Sequence, residues 1–476
     1  MKNFRNYVNL REEVEAAAPA IRRECLATSR DGAFFAFARN TRSVRASIIH
    51  FQLRNLVWAT SPHDVYTASD ARLIHWNAIA REKAVVLDVS GEPGAAAPPL
   101  GPPGPGAAGP VAPGRVQVGT CVASHGLAAV GGFNGELIIK PLTAGGTGGP
   151  FARPPRFRPA AMRVTLSDNG ITNGIEVVPA PGTGGGLPGD APGVPASLLL
   201  ANNDNAVRLF DAATLARTAD WPLDWAANWA TSCPGASPGP AAGLVAIVGD
   251  DPAALLVDAA SGGRPVARLA GHADYSFAAA WHPGGTLLAT GNQDATTRVW
   301  DVRRLGGPSL ATLAGVVGAI RSLRWSPDGR FLAAAEPADF VTVYDAAAGF
   351  ERAQEVDLFG EVAGIAFSPA GDRLFVGVSD ATYSSLLQFN RTSGECGVGG
   401  GGGRARTAAA AAVDEEDDGE GGGSGRFRAD EEEAGGGAGA GAGAGGAAPG
   451  ACARRLRSSS LRGGGGGDME EDGGGG

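Results

Sequence analysis

GHADYSFAAAWHPGGTLLATGNQDATTRVWDVR, residues Gly271 to Arg303, is the stretch whose reading decides the fold. It opens on Gly271-His272 and closes on Trp300-Asp301, just before Arg303. Between the dipeptides lie two short apolar runs, a turn at His282-Pro283-Gly284-Gly285 and a second turn at Asn292-Gln293-Asp294. Pro presets the first turn and Gly closes it, while Asn and Asp side chains bond their own backbone in the second. The layout is that of short antiparallel strands joined by tight turns. The first turn recurs as Ser326-Pro327-Asp328-Gly329 and Ser368-Pro369-Ala370-Gly371, each after a strand ending in Trp or Phe. A spacing of roughly 43 residues marks a repeat architecture whose units stack to bury a shared core.

The stretch resembles one blade of a WD-repeat propeller, with Gly-His before the first strand and Trp-Asp ending the third. That resemblance implies a structural tetrad of His272, Thr290, Asp294 and Trp300, bonded from Trp to Thr to His to Asp. The chemistry of the four groups permits the chain. Indole donates, hydroxyl and neutral imidazole both donate and accept, and carboxylate accepts. A buried polar group without a partner costs roughly 1–3 kcal/mol, so four such groups are expected to satisfy one another. The same residue types also compose a hydroxyl–His–carboxylate catalytic triad. Thr290, however, lies within a strand rather than on an exposed elbow, and no oxyanion-hole motif accompanies it.

The fold class expected is therefore all-β: a propeller of seven four-stranded blades, with six and eight as alternatives. Its span is 43–392, preceded by a helical or irregular extension over 1–42. Within the extension a helix is placed near 10–18, broken by Pro19, with a second helical stretch at 21–26. Blade one is read at 53–89, blade two at 116–140, blade three at 171–211, blade four at 226–269 and blade five in the opening stretch. Blades six and seven follow at 320–345 and 362–389. The apolar, β-branched run Ala46–Gln52 is a spare strand. It is expected to close the ring on the seventh blade, because an open sheet edge invites mispairing.

Gly and Pro are clustered rather than spread among the 75 glycines and 32 prolines. Runs at 91–114, 143–159 and 179–196 interrupt the blades and have little side chain to pack, so they read as loop inserts. Residues 393–476 hold long Gly and Ala runs with one aromatic, Phe427, and acidic clusters at 414–418 and 430–433. Such a composition cannot bury enough apolar area to offset ordering, so a disordered acidic tail is expected. The net charge of −9 falls mostly there, and the remainder is close to neutral. Arg greatly outnumbers Lys, as in proteins of GC-rich genomes, so the arginines are not read as a nucleic-acid signal. The five cysteines are far apart and odd in number, which argues against a disulfide framework and for a reducing compartment. The beginning of the chain lacks an apolar signal core and carries Glu12, Glu13 and Glu15, so a cytoplasmic or nuclear protein is expected.

Further phrases, LRNLVWATSPHDVY, AEPADFVTVYD and DLFGEVAGIAFSP among them, resemble a plant and fungal family of transducin-like WD-repeat proteins. The likeness covers roughly residues 43–391. It strengthens the fold and adds little function, because function lives in sites rather than folds. Enzyme motifs are lacking: no Lys follows a Gly as in a P-loop, and the six histidines form no His-x-x-x-His pair. Gly184-x-Gly186-x-x-Gly189 contains Pro188 and opens no helix, so it reads as linker. No catalytic residue, cofactor, metal, membrane contact or specific nucleic acid is expected.

Two binding signals remain. The turns joining the second and third strands of the blades carry Asp70, Asn134, Asn203, Asp204, Asp251, Gln293, Glu336, Asp339 and Asp380. In a propeller these turns share one face, which would receive a basic peptide; equally, Asn and Asp are good turn formers. The second signal is Trp300-Asp301-Val302-Arg303. It resembles the motif by which substrate receptors of cullin–RING ubiquitin ligases contact their adaptor, with Asp301 and Arg303 as candidate contacts. The function expected is a non-catalytic protein–protein interaction scaffold, with ligase substrate receptor as the alternative.

Overall fold

The structure, a computed structural model, describes residues 16–91, 105–111, 114–142, 159–180, 195–234 and 241–392. Their strands form the seven four-stranded antiparallel blades of a β-propeller. Five blades are separate sheets, and the last two share one strand, Ala353–Phe367. Its first half pairs with Ala338–Asp345 of blade six, and its second half with Arg373–Ser379 of blade seven. Gly360, at φ +118°, lies at the changeover, where an L side chain would be strained. The innermost strands are Val57–Ala59, Val118–Ser124, Thr172–Pro179, Ala227–Ser232, Ser276–Trp281, Ser322–Trp325 and the second half of Ala353–Phe367. Each touches its neighbours in turn, and that of blade seven touches that of blade one, which closes the ring.

A blade packed between two others has no solvent face, so its middle strands read as continuous apolar runs. Leu244–Gly249, LVAIVG, is buried throughout. Outer strands are the reverse: Glu82–Asp88 and Arg264–Leu269 are largely exposed. Four outer strands were not legible in the sequence: Arg217–Pro222 faces water, Ala160–Arg163 and Ala311–Ala314 are only four residues long, and the first half of Ala353–Phe367 runs on into the next blade. Neighbouring blades are tied near the axis by side chains that bond backbone carbonyls. Trp281 Nε1 donates to Thr231 O (3.0 Å), Trp325 Nε1 to Ala280 O (3.1 Å) and Trp58 Nε1 to Cys121 O (2.7 Å). Asn173 and Asn228 do the same toward Ala227 O and Ser276 O.

Closure differs from the sequence expectation. The strand that completes blade seven is Phe35–Thr41, antiparallel to Ser385–Arg391, and not Ala46–Gln52. Phe35-Ala36-Phe37-Ala38 alternates aromatic side chains toward the core with alanines toward solvent, as a half-buried edge strand requires. Phe35 packs on Phe331 and Phe367, and Phe37 on Phe389. Residues 46–52 instead form an irregular segment in which Ala46 is buried while Phe51 stands 74% exposed. Its apolar residues do not alternate, which is why it pairs with no strand.

Two further expectations are corrected. Helix continues through Pro19, over 16–24 of the described residues, rather than stopping there. Alanines flank the proline, and buried Ile21 anchors the helix. The insert 91–114 is not wholly unpacked. Gly106 donates to Leu215 O, and Ala108 and Gly109 bond Arg163 on the outer strand of blade two. A Cβ on Gly106 would meet Leu215 O at 2.6 Å, so glycine itself permits the approach. The expectations for the inserts 143–159 and 179–196, the tail 393–476 and the helix over 10–15 fall, wholly or for the most part, outside the described residues.

Candidate functional site

Blade five brings the four residues of the predicted tetrad together. His272 precedes the inner strand, Thr290 lies in Leu287–Asn292, Asp294 in the following turn and Trp300 in Thr296–Asp301. Trp300 Nε1 donates to Thr290 Oγ1 at 2.9 Å, Thr290 Oγ1 meets His272 Nε2 at 2.9 Å, and His272 Nδ1 meets Asp294 Oδ2 at 3.0 Å. One assignment of protons satisfies all four: the indole donates to the hydroxyl, the hydroxyl to Nε2, and Nδ1–H to the carboxylate. Asp294 also accepts from the Ala273 amide and from the Thr296 amide and hydroxyl. Burial pushes its carboxyl up, but the bonds from His272, the Thr296 hydroxyl and the Ala273 amide outweigh that, and it stays below the usual carboxylate value. The His272 and Asp294 side chains are 0% and 1% exposed, so nothing of substrate size reaches them.

The WD domain, G-beta repeat family matches residues 263–301 and 307–340, the blade just described and the first two strands of the next. The chain is a WD-repeat β-propeller. A THO complex subunit 3 of Arabidopsis thaliana is 33% identical over 113 residues, 23% of this chain and 36% of that protein. A probable cytosolic iron-sulfur protein assembly protein Ciao1 of Culex quinquefasciatus is 37% identical over 17% of this chain and 25% of its own length. A Pre-mRNA-processing factor 19 homolog of Arabidopsis thaliana is 31% identical over 22% and 19%. The match thus spans little more than a third of these relatives at most. Among solved structures, one from the mitotic checkpoint complex superposes with TM-score 0.53 at 18% identity, covering 77% of this chain and 95% of that one. The structure of U3-55K gives 0.54 at 14% identity, covering 76% and 100%. At such identity these two speak to the fold alone.

In a WD-repeat propeller the turns between second and third strands, and the loops that enter each inner strand, lie at one end of the blades; here that end is called the turn face. All nine predicted turn residues sit on or beside these turns, but most spend their polar atoms inside the protein. Glu336, 2% exposed, accepts from the amides of Val316, Val317 and Gly318 in the loop entering blade six. Asp339 accepts from Gly360, and Asp380 caps Thr382 and Tyr383. Asp204 holds Arg208 bidentately, Asp251 holds Arg268, Asn203 bonds Asn169, and Gln293 accepts from Arg321. Asp70 pairs with Arg115, and the Asn134 amides bond Glu136. A carboxylate at the turn ties down the loop beside it, as Asp294 does for Ala273.

Arg303 is 58% exposed on the opposite end of blade five, with its guanidinium bonded to both oxygens of Asp301 at 2.9 and 2.8 Å. That bond is the main reason the Asp301 carboxyl lies below its ordinary value.

Sequence reasoning missed two groupings. The first is apolar: Phe51, Leu166, Val317 and Tyr383, in loops or turns of the turn face, and Phe359, where the shared strand Ala353–Phe367 changes blades beside them, are all exposed. The rings of Phe359 and Tyr383 meet edge to face at 5.6 Å. Aromatic residues inside predicted loops were the available signal. The second lines the axis, where Arg324 lies over the rings of Trp58 and Trp229 and bonds Asn55. Desolvation lowers its guanidinium to about 10 and raises the Glu176 carboxyl on blade three to about 7. Nothing in a single sequence places these two strands, from blades six and three, around one axis.

Proposed function

We propose that this WD-repeat propeller is a non-catalytic scaffold that docks a protein partner on its turn face. The observation that carries the reading is the exposure there of Phe51, Leu166, Val317, Phe359 and Tyr383, the last two in edge-to-face contact. Exposed apolar groups gathered on one face mark interaction sites, and aromatic anchors dominate interface energetics. Because the turn carboxylates are already bonded within the protein, the partner fits this face by an apolar or aromatic segment more than by a basic one. Catalysis is argued against by the burial of the hydroxyl–His–carboxylate chain of blade five. A cytoplasmic or nuclear setting accords with free, unpaired Cys25, Cys121 and Cys233 and with the cytosolic iron-sulfur protein assembly in the name of Ciao1. No helix among the described residues is long and apolar enough to cross a membrane.

Proximity labelling in cells with Phe359→Ser/Tyr383→Ser tests the reading. Specific neighbours should drop from the labelled set. Leu310→Ser, equally exposed but at the other end of the blades, should leave the set intact. Identical sets from both variants would defeat the docking face. The adaptor reading rests on Arg303, whose exposure alone supports it; a partner would have to draw it away from Asp301.

A further inference from the structure

The end of the propeller opposite the turn face holds a polar cleft of about 480 Å³ at the seam where the ring closes. Its walls come from the closing strand Phe35–Thr41, the adjoining strand Ser385–Arg391, and two turns of blade one. Arg39, Arg81 and Arg373 line it with His63, Ile79 and Asn390, and no Asp or Glu lines it. Arg39 is held by one hydrogen bond to the Ala78 carbonyl (3.1 Å) and has no ion-pair partner among the described residues. Arg373 is anchored by the Pro62 carbonyl at 2.7 Å and by His63 at 3.1 Å. Since a guanidinium only donates, His63 Nδ1 must accept there. Asp372, half-exposed, lies 3.6 Å from Arg373 Nε. Asp64, on the same blade, is already taken by Ser61, His75 and Asn77.

We propose that this cleft binds a phosphorylated side chain of a partner protein, with Arg39, Arg81 and Arg373 as its cationic contacts and Ile79 against the flanking apolar residue. Three guanidinium groups around a cleft with room for a phosphorylated side chain and its neighbours suit a phosphoryl group, which takes several charge-assisted bonds at once. Ile79, 70% exposed at the rim, gives the neighbouring residue an apolar contact. A nucleic-acid strand fits less well. The lining has no Phe, Tyr or Trp ring for bases to stack on, and the net charge of −9 opposes a polyanion. The cleft is independent of the docking face proposed above, since it lies at the other end of the blades.

The test is fluorescence anisotropy on the full chain with a labelled degenerate peptide pool carrying one fixed phosphothreonine. The phosphorylated pool should bind about tenfold more tightly than the same pool treated with phosphatase. Arg39→Gln should remove that difference without changing Tm. Arg81→Asn should do the same, and Asn suits the left-handed backbone at this position (φ 54°). Arg304→Gln, an exposed arginine on blade five, matches the charge change and should leave binding intact. Equal binding of the two pools, or absent binding of both, overturns the site. So does an equal loss in Arg304→Gln, which would mean unspecific charge attraction. A single-stranded oligonucleotide that binds as tightly as the phosphorylated pool overturns the assignment to a protein partner.

Discussion

The side chain of Gln354 pairs with the backbone of Phe35 as a strand would: its Oε1 accepts from Phe35 N at 2.7 Å and its Nε2 donates to Phe35 O at 2.7 Å. Both bonds are buried, and they fasten the closing strand of blade seven to the shared strand Ala353–Phe367. Gln354→Leu keeps much of the side-chain volume and removes both partners. The expected loss is roughly 1–3 kcal/mol for each backbone group left unpaired. Thermal unfolding measures it. A variant that melts like wild type would show that Phe35–Thr41 is held by its aromatic packing alone.

Asp294→Ala should destabilise blade five. It leaves His272 without its acceptor and the amides of Ala273 and Thr296 without theirs, at a cost of roughly 1–3 kcal/mol. Thr290→Val removes the acceptor of Trp300 and should cost a similar amount. Because both lie in one network, the double variant should lose clearly less than the sum of the two. Additive losses from chemical denaturation would mean that the four residues do not act as a unit.

How far the sequence could be read follows from where its residues lie. The inner and middle strands announce themselves, because burial on both faces demands runs such as LVAIVG at Leu244–Gly249. The tetrad was legible because Gly-His and Trp-Asp stand at a fixed spacing. Outer strands such as Arg217–Pro222 face water and lose the apolar signal. The closing strand was misplaced because Ala46–Gln52 has the higher β-branched content, while Phe35–Thr41 has the alternation that an edge strand needs. The turn-face carboxylates were legible as positions but not as roles: whether Glu336 points to solvent or to the amides of 316–318 depends on a loop from another part of the chain. The seam cleft was out of reach, since it joins Arg39, Arg81 and Arg373 from both ends of the chain.

Arg303→Ala should leave Tm unchanged, because its pair with Asp301 is solvent-exposed and such pairs add little to stability. The same variant examines the ligase alternative. Co-precipitation with a tagged cullin–RING adaptor should be lost on substitution if Arg303 is the contact. Adaptor binding that is equal in the two proteins, or absent from wild type, would dispose of that alternative.

Glu176 ties the axis of the ring to pH. Its carboxylate accepts from Thr231 Oγ1 (2.9 Å) and Ser232 N (2.7 Å), yet desolvation outweighs these bonds and the nearby charge of Arg324, and raises it from 4.5 to about 7. The folded state therefore holds this proton more tightly than the unfolded one. Between pH 4.5 and about 7 the unfolded chain gives up the proton first, so this group makes folding less favourable as pH rises. Above about 7 both states are ionised and the penalty is constant. Glu176→Gln keeps an acceptor for Ser232 and cannot ionise. Its stability relative to wild type should be near zero at pH 4.5 and should rise with pH, by on the order of 2 kcal/mol at pH 8. Reading the difference between the two proteins cancels other titrations, such as that of His50, which desolvation lowers to about 4. Urea unfolding at four pH values between 4.5 and 8 provides the measurement. A difference that stays flat, or falls with pH, would mean that Arg324 keeps Glu176 ionised across the whole range.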